Sequence, residues 1–252
     1  MPEPLVSEGL TLESSVVRPA ALDPSFPGLV LCHGFPSGAV HSSAAARSFP
    51  ELAERIATEL GWVVLTFSFR GAGASEGDFS LQGWLTDLLA AIDHVAAQER
   101  VSGVWLAGFG TGGALAICAG AERADVQGVA ALASPADFDD WANHPRRLLQ
   151  HAREMELITS PGFPRSLDAW SKELRQIRPS KCVADLAPRS LLVVHGSEDE
   201  AVPQFDARIL SDAHGSAELR LIAGAAHQLR YDPRAIAVLL GWLDRQKYRI
   251  EA

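Results

Sequence analysis

The chain has 252 residues, of which 47% are hydrophobic and 21% are charged, a composition typical of globular proteins with a large core. Its formal net charge of −9 argues against a nucleic-acid partner, and the absence of any run of about 18 apolar residues argues against a membrane span. The acidic N-terminus lacks the apolar stretch of a secretory signal. Because Cys32, Cys118 and Cys182 are odd in number and far apart, we expect reduced thiols in a cytoplasmic protein rather than a disulfide or zinc framework.

Apolar runs and helical patterns alternate along the chain. Strands are predicted at 29–32, 62–67, 104–107, 126–133, 191–194 and 219–222. The predicted helices are one ending at Gly61, one with an apolar face from Trp84 to Val95, one over 111–121, one from Pro203, and one capped by Asp232 with Pro233 in its first turn. The strands are continuously apolar, which suits a parallel sheet covered on both faces. The alternation predicts a single doubly wound α/β domain over 1–252 with a mostly parallel sheet.

One segment, residues 137–188, breaks the alternation. It contains no clear strand and is interrupted by prolines, so we interpret it as short helices and loops that form a lid or cap insertion. Its aromatic residues Trp141, Phe163 and Trp170 either line an acyl pocket or anchor the lid, and Trp141 and Trp170 are our candidates for substrate binding. The segment is mildly basic, which favours either an acidic ligand or the solvated faces of lid helices.

A glycine-rich turn, Gly-Phe-Gly-Thr-Gly-Gly at 108–113, follows the third predicted strand and precedes a helix of small residues. Strand, tight glycine turn and helix form the context in which the pattern G-x-S-x-G presents a nucleophilic serine. When Gly108 and Gly112 are matched to the two glycines of that pattern, the nucleophile position is occupied by Gly110. The turn therefore has the pattern of a nucleophile elbow, but the reactive side chain is absent.

Three further motifs accompany this turn. They are His33-Gly34-Phe35-Pro36, the turn from Phe69 to Ser75, and a pair formed by 195–203 and 224–227. With the glycine turn they resemble the oxyanion loop, the arginine-glycine turn, the nucleophile elbow and the acid–histidine segments of the α/β-hydrolase superfamily, over residues from about 12 to 247. The resemblance implies hydrolysis of an ester, thioester or amide, as in small esterases and acyl-peptidase-like hydrolases, without a cofactor or a metal. We interpret Arg70 as a structural hydrogen-bonding residue of its turn.

The resemblance also implies a role for each candidate site residue. Asp199 follows a strand end and is the expected acid, and its hydrogen bond to His227 would fix the imidazole tautomer and stabilise an imidazolium. The backbone N–H groups of Phe35 and Thr111 are the expected oxyanion hole. Backbone donors survive side-chain substitution, so this hole would still bind a carbonyl oxygen or an anion. We expect a small-molecule ester, amide or anionic ligand, with no nucleic acid and no membrane as partners.

Four interpretations of Gly110 remain open, because loss of the serine costs a serine hydrolase about six orders of magnitude. The pocket is a binding site in a non-hydrolytic member, or His227 acts directly as a general base on water or on a substrate proton, in a hydrolase or lyase. Alternatively, the glycine was engineered into a serine ester hydrolase to trap a complex, or a displaced residue is the nucleophile. Candidates for a displaced nucleophile are Thr111, Cys32, Ser37 and Ser134.

Overall fold

The computed structural model describes residues 4–20, 23–36 and 49–250, with side chains as far as residue 247. The strands in these ranges are β1 (Leu5–Ser7), β2 (Leu10–Leu12), β3 (Ser14–Val17), β4 (Phe26–Cys32), β5 (Val63–Phe67), β6 (Val101–Phe109), β7 (Val126–Leu132), β8 (Ser190–Gly196) and β9 (Glu218–Ile222). The helices are α1 (Phe49–Leu60), α2 (Leu81–Ala96), α3 (Thr111–Glu122), α4 (Asp139–Asn143), α5 (Pro145–Glu154), α6 (Leu167–Gln176), α7 (Pro179–Leu186), α8 (Gln204–His214) and α9 (Pro233–Ile250), with a 3-10 turn at Leu229–Tyr231. Every strand and helix predicted from the sequence has its counterpart among them.

The main sheet has the order β3-β5-β4-β6-β7-β8-β9. All neighbouring strands in it are parallel except β3, which pairs antiparallel with β5 at one edge. β1 and β2 form a separate antiparallel hairpin. The predicted doubly wound, mostly parallel α/β fold is therefore confirmed. The hairpin and β3 were not predicted from the sequence. Strands of three or four residues are too short to show a recognisable alternation of apolar and polar residues.

Helices cover both faces of the sheet, as continuous burial of the central strands requires. Within β4, Val30 and Cys32 belong to a buried cluster that includes apolar residues of α2 and α3. Their neighbours Leu29 and Leu31 belong to a second cluster with apolar residues of α1 and α9. This alternation follows the two-residue period of a strand, and it divides the core into two layers, one on each side of the sheet.

A buried ion pair fixes the turn after β5. The Arg70 guanidinium donates to Asp87 of α2 at 2.7 Å and 3.0 Å, and the Arg70 backbone N–H donates to the same carboxylate at 2.9 Å. The Asp87 side chain is 0% exposed. Arg70 also contacts Ser7 and Glu8 of the hairpin, at 3.2 Å and 3.0 Å. As expected, Arg70 is a structural residue, and it joins the hairpin, the turn and α2.

The segment between β7 and β8 contains α4, α5, α6 and α7 and no strand, as predicted for residues 137–188. Its role as a lid stays a prediction. Two of its helices begin at a proline, Pro145 in α5 and Pro179 in α7. Proline is tolerated there because the N–H groups of the first helical turn make no hydrogen bond within the helix. In the part of the chain that the structure describes, no helix is both long and apolar enough to cross a membrane.

The order of the sheet predicts where a ligand binds. The chain passes from β4 to β5 on one side of β4 and returns to β6 on the other, so β4 and β6 are neighbours at the switch point of the topology. Open α/β sheets bind ligands in the crevice outside the carboxyl ends of the strands at such a point. Gly34 and Phe35 follow β4, and Gly110 follows β6, so these motifs meet at that crevice.

Candidate active site

Gly110 stands in the sharp turn between β6 and α3 with φ 54° and ψ −125°. Its N–H donates to the carbonyl of Leu132 at 2.8 Å, and its carbonyl accepts from Ala114 of α3 at 3.2 Å. A positive φ strains any residue that carries a Cβ, and this strained strand-to-helix turn is what exposes the nucleophile in an elbow. The turn at Gly110 therefore has the backbone conformation expected of an elbow, with glycine at its centre.

The glycines around Gly110 are required by close packing. A Cβ on Gly108 would lie 2.4 Å from the backbone of Gly112, and one on Gly112 would lie 2.3 Å from the carbonyl oxygen of His33. A Cβ on Gly113 would lie 2.0 Å from Oγ of Ser134. These distances are far inside van der Waals contact, so the three positions have no room for a side chain.

Gly110 differs from its neighbours because it has room. A Cβ there would lie 3.6 Å from Nε2 of His227 and 3.8 Å from Cα of Gly34, both ordinary contacts. Packing thus does not impose glycine at this position. The space that a side chain would occupy lies directly in front of the imidazole nitrogen, which is the arrangement a nucleophile and its base need.

Asp199, in the loop after β8, and His227, in the loop after β9, form the predicted pair. Asp199 Oδ2 accepts from Nδ1 of His227 at 2.9 Å. Its Oδ1 accepts from the backbone N–H groups of Ala201 and Val202, both at 2.9 Å. Burial opposes ionisation of Asp199, but the hydrogen bonds from His227 and the two N–H groups outweigh it and lower the pKa. With its proton on Nδ1, the neutral His227 presents Nε2 as a proton acceptor toward Gly110.

A second imidazole supports this carboxylate. His195 is fully buried, and its Nε2 lies 3.0 Å from the carbonyl oxygen of Val202 and 3.3 Å from Oδ2 of Asp199. His195 therefore contacts both ends of the 199–202 turn and stabilises it. Sequence reasoning placed His195 only as the first residue of the 195–203 motif, and no spacing rule pointed to its contact with Asp199.

The lowered pKa of Asp199 makes part of the folding stability depend on pH. Since the carboxyl titrates lower in the folded chain than its ordinary value of about 3.9, its contribution is complete above that pH and is lost as the pH falls through the folded pKa. We expect Asp199→Asn to lower the free energy of unfolding at about pH 7, and the deficit to shrink below about pH 4. Urea unfolding across this range measures the effect, and a deficit that does not change with pH would contradict it.

The predicted oxyanion donors, Phe35 and Thr111, flank the same crevice. Thr111 opens α3, so its N–H has no acceptor within the helix. Phe35 lies two residues after His33. Nδ1 of His33 donates to the carbonyl of Gly34 at 2.9 Å, and its Nε2 accepts from the N–H of Phe69 at 3.1 Å. Burial lowers the pKa of His33 to about 4, although the bond to Gly34 opposes the shift. A neutral His33 thus ties the loop of Phe35 to the Phe69 turn.

A cavity of about 400 Å³ opens over the elbow. It is lined by Phe35, Pro36, Gly110, Thr111, Pro135, Asp137, Phe138, Asp140, Trp141, His151, Ala201, Val202, Pro203, Asp206 and His227. Its described lining includes three carboxylates and no lysine or arginine. Burial raises the pKa of Asp206, the charges of Asp137 and Asp199 add to the shift, and a hydrogen bond from Ala136 opposes it. The lining of this cavity is therefore acidic, whereas Arg230 lines an adjoining cleft that also contacts Gly110 and His227. No group of His, Cys, Asp and Glu in the described residues has the form of a metal site.

The two tryptophans proposed for substrate binding lie in different places. Trp141 of α4 lines the cavity, and its ring centroid lies 5.1 Å from that of Phe35. Trp170 of α6 is 3% exposed and donates from Nε1 to the carbonyl of Phe79 at 3.2 Å, away from the cavity lining. This position makes Trp170 an anchor of the insertion rather than part of the cavity wall. Phe163 also packs against the buried core.

The alternative nucleophiles are placed as follows. Thr111 lines the cavity beside Gly110. Cys32 is fully buried in β4, and burial raises the pKa of its thiol far above the ordinary range. Ser134 is buried, and its Oγ lies 3.4 Å from the carbonyl oxygen of Leu132. Ser37 lies outside the described residues.

The sequence and the fold of this chain are similar to those of known proteins. A model of the alpha/beta hydrolase family matches residues 29–239. Human protein ABHD12B is 30% identical over 191 residues, which are 73% of this chain and 49% of ABHD12B. YfhR from Salmonella typhi is 27% identical over 154 residues, 57% of this chain and 47% of YfhR. The chain thus spans about half the length of these curated relatives. Est1E from Butyrivibrio proteoclasticus, solved with ferulic acid bound, is 25% identical with a TM-score of 0.75 and 98% of each chain covered.

Proposed function

The chain belongs to the α/β hydrolase family, and from this premise we propose that its cavity binds a small uncharged ester or amide, with His227 as general base for hydrolysis by water. One observation carries the proposal. Nε2 of His227 faces, at 3.6 Å, the point where a Cβ of residue 110 would lie. A water molecule has the size and the hydrogen-bonding capacity to occupy the space that a serine hydroxyl would fill.

The proposed reaction uses groups already described. The substrate carbonyl oxygen accepts from the N–H groups of Phe35 and Thr111, and the water attacks the carbonyl carbon while His227 Nε2 takes its proton. Asp199 stabilises the imidazolium. When the tetrahedral intermediate collapses, His227 returns the proton to the leaving oxygen or nitrogen, so that a carboxylic acid and an alcohol or amine are released. No bond forms between the substrate and the chain.

The expected rates are modest. General-base catalysis contributes about 10²–10⁴-fold, and each oxyanion donor contributes about 10²–10³-fold. Both terms are available here, whereas the covalent step of a serine hydrolase is not. We therefore expect slow turnover that falls when His227 is removed, with the contribution of the oxyanion donors left in place.

The lining of the cavity supports an uncharged, partly aromatic ligand. Phe35, Phe138 and Trp141 form an apolar wall, and a volume of about 400 Å³ suits a small molecule. The carboxylates Asp137 and Asp206 repel an anion, so an aromatic ester is favoured over a free carboxylate. Est1E binds ferulic acid, and the aromatic ring of that ligand supports an aromatic ligand for this cavity as well.

Ligand binding without turnover is the second candidate function. Gly110 itself favours this candidate, because a pocket that keeps its oxyanion donors but lacks a nucleophile can hold a carbonyl compound without reacting with it. The two candidates make different demands on His227. Hydrolysis requires its nitrogen, whereas binding requires only the shape of the cavity.

The proposal is tested by steady-state hydrolysis of methyl ferulate and p-nitrophenyl acetate. We expect slow turnover with no initial burst, and we expect His227→Ala to lower kcat by about 10²–10³-fold. His144→Gln is the matched control, since this exposed histidine of the insertion lies outside the lining of the cavity, and its rate should be unchanged.

Three results would argue against this proposal. Equal rates for the unaltered chain and His227→Ala would show that His227 is not the general base. Saturable quenching of the intrinsic tryptophan fluorescence by methyl ferulate, unchanged in His227→Ala and without any turnover, would establish the binding function instead. A burst followed by an acyl adduct in the mass spectrum would point to a displaced nucleophile.

A further inference from the structure

Two cysteines that are distant in sequence meet beneath the insertion. Sγ of Cys118 in α3 and Sγ of Cys182 in α7 are 3.2 Å apart, although 64 positions separate the residues. Both thiols are free. Two sulfur atoms at this distance need to approach by only about 1 Å to bond. The proposed hydrolytic site uses neither residue.

Solvent reaches the pair through Cys182. An open groove of about 470 Å³ is lined by both cysteines together with residues of α2, α3 and α7. Cys182 is half-buried, whereas Cys118 is 9% exposed. A small oxidant therefore reaches Cys182 more easily than Cys118. The Cys118 sulfur lies 3.2 Å from that of Cys182, on its buried side. Cys32, the third cysteine, is completely buried in β4 and is not in this groove.

We propose that Cys118 and Cys182 form a disulfide in response to hydrogen peroxide or an organic hydroperoxide. The Cys182 thiolate attacks one peroxide oxygen, the O–O bond breaks, and the thiol becomes a sulfenic acid while water or an alcohol leaves. The Cys118 sulfur then attacks the sulfenic sulfur, and the hydroxyl leaves as a second water. Two thiols are oxidised by two electrons, and one peroxide is reduced. A dithiol reverses the reaction by exchange.

The position of the bond gives it a mechanical consequence. α3 begins at Thr111, the proposed oxyanion donor, and α7 is the last helix of the insertion. A covalent link between them closes a loop that contains β7, α4, α5 and α6. Such a link restricts the unfolded chain and holds the end of the insertion against the helix that starts at the elbow. This inference does not rest on the proposed hydrolytic function.

The test uses the full reduced chain, treated with a small excess of hydrogen peroxide and then denatured and alkylated. We expect mass spectrometry to show two of the three thiols lost and a peptide cross-link between Cys118 and Cys182. The midpoint of thermal unfolding should rise by about 5–10 °C and should return when dithiothreitol is added. Cys182→Ser and Cys182→Ala, at a half-buried position, should unfold near the reduced chain and show no rise. They also control for oxidation of methionine.

Three results would overturn the proposal. Alkylation of both thiols after peroxide treatment would show that the pair is only a packing contact. A cross-link between two copies of the chain would show that the bond is not internal. A rise in the unfolding midpoint that also occurs in Cys182→Ser would place the effect elsewhere. If a variant does not fold, mass spectrometry of the unaltered chain still tests whether the disulfide forms.

Discussion

Gly110→Ser is expected to raise ester turnover by about 10³-fold or more, because it supplies the one group that the site lacks. The backbone at Gly110 already has the conformation of an elbow, and a Cβ there lies 3.6 Å from Nε2 of His227. The serine Oγ therefore falls within hydrogen-bond reach of its base. Removal of this serine from a serine hydrolase costs about six orders of magnitude in kcat, so its restoration is the largest single change available here.

Three measurements test this expectation. Gly110→Ser should hydrolyse p-nitrophenyl acetate with an initial burst and should be labelled at residue 110 by a fluorophosphonate. Gly110→Ala is the matched control, since it has the same backbone strain without a hydroxyl. In the double variant with His227→Ala, both labelling and turnover should be lost. The substitutions should each lower the free energy of unfolding by about 1–3 kcal/mol because φ is positive.

The possible failures are distinguishable. If Gly110→Ser is labelled but does not turn over, the nucleophile is active and the oxyanion donors are misplaced. If it is folded but is not labelled, His227 does not reach the hydroxyl and the proposed pairing is wrong. A gain of the same size in Gly110→Ala would show that the hydroxyl is not the cause.

The largest effect on stability is expected from Asp87→Ala. This substitution removes the carboxylate that pairs with Arg70 at 2.7 Å and leaves a guanidinium that is 11% exposed without its main partner. Breaking a buried pair from one side costs about 3–5 kcal/mol, because a desolvated charge loses its buried partner. Among the described residues, Arg70 would keep only Glu8 as an ion-pair partner, and the Glu8 side chain is 60% exposed. The backbone N–H of Arg70 loses its acceptor as well. Urea unfolding at neutral pH measures the loss directly.

The exposed pair of Arg55 and Glu59 in α1 is the matched control. Its side chains are 50% and 53% exposed, and Glu59→Ala should cost no more than about 0.5 kcal/mol. Arg70→Met combined with Asp87→Leu should recover much of the loss, since no charge is then left buried. A loss below about 1 kcal/mol for Asp87→Ala would mean that solvent reaches Arg70 and that the pair is not a structural anchor.

The fold was predictable because its central strands are continuous apolar runs. Residues such as Leu29 to Cys32 are buried on both faces, and this pattern is legible in the sequence without any knowledge of contacts. The edge of the sheet was not predictable in this way. β3 has only four residues and partial burial, so its pairing with β5 depends on tertiary contacts.

Part of the candidate site was also predictable from the sequence, and part depended on tertiary contacts. Gly110, Asp199 and His227 lie in loops directly after strands, so motif order was enough to place them at one edge of the sheet. The acidic lining was not predictable, because Asp206 enters the cavity from α8 and no spacing relates it to the elbow. The cysteine contact was missed for the same reason, since helix packing brings together residues 64 positions apart.

The open space at Gly110 also bears on how this protein relates to its family over evolutionary time. A single base change converts some glycine codons into serine codons. The neighbouring glycines, such as Gly108, are held by packing, and Asp199 and His227 keep their mutual hydrogen bond. One amino-acid substitution at residue 110 would therefore give this chain the three side chains of the proposed triad, with no second substitution needed to make room. Gain and loss of the nucleophile are each a single step on the same scaffold.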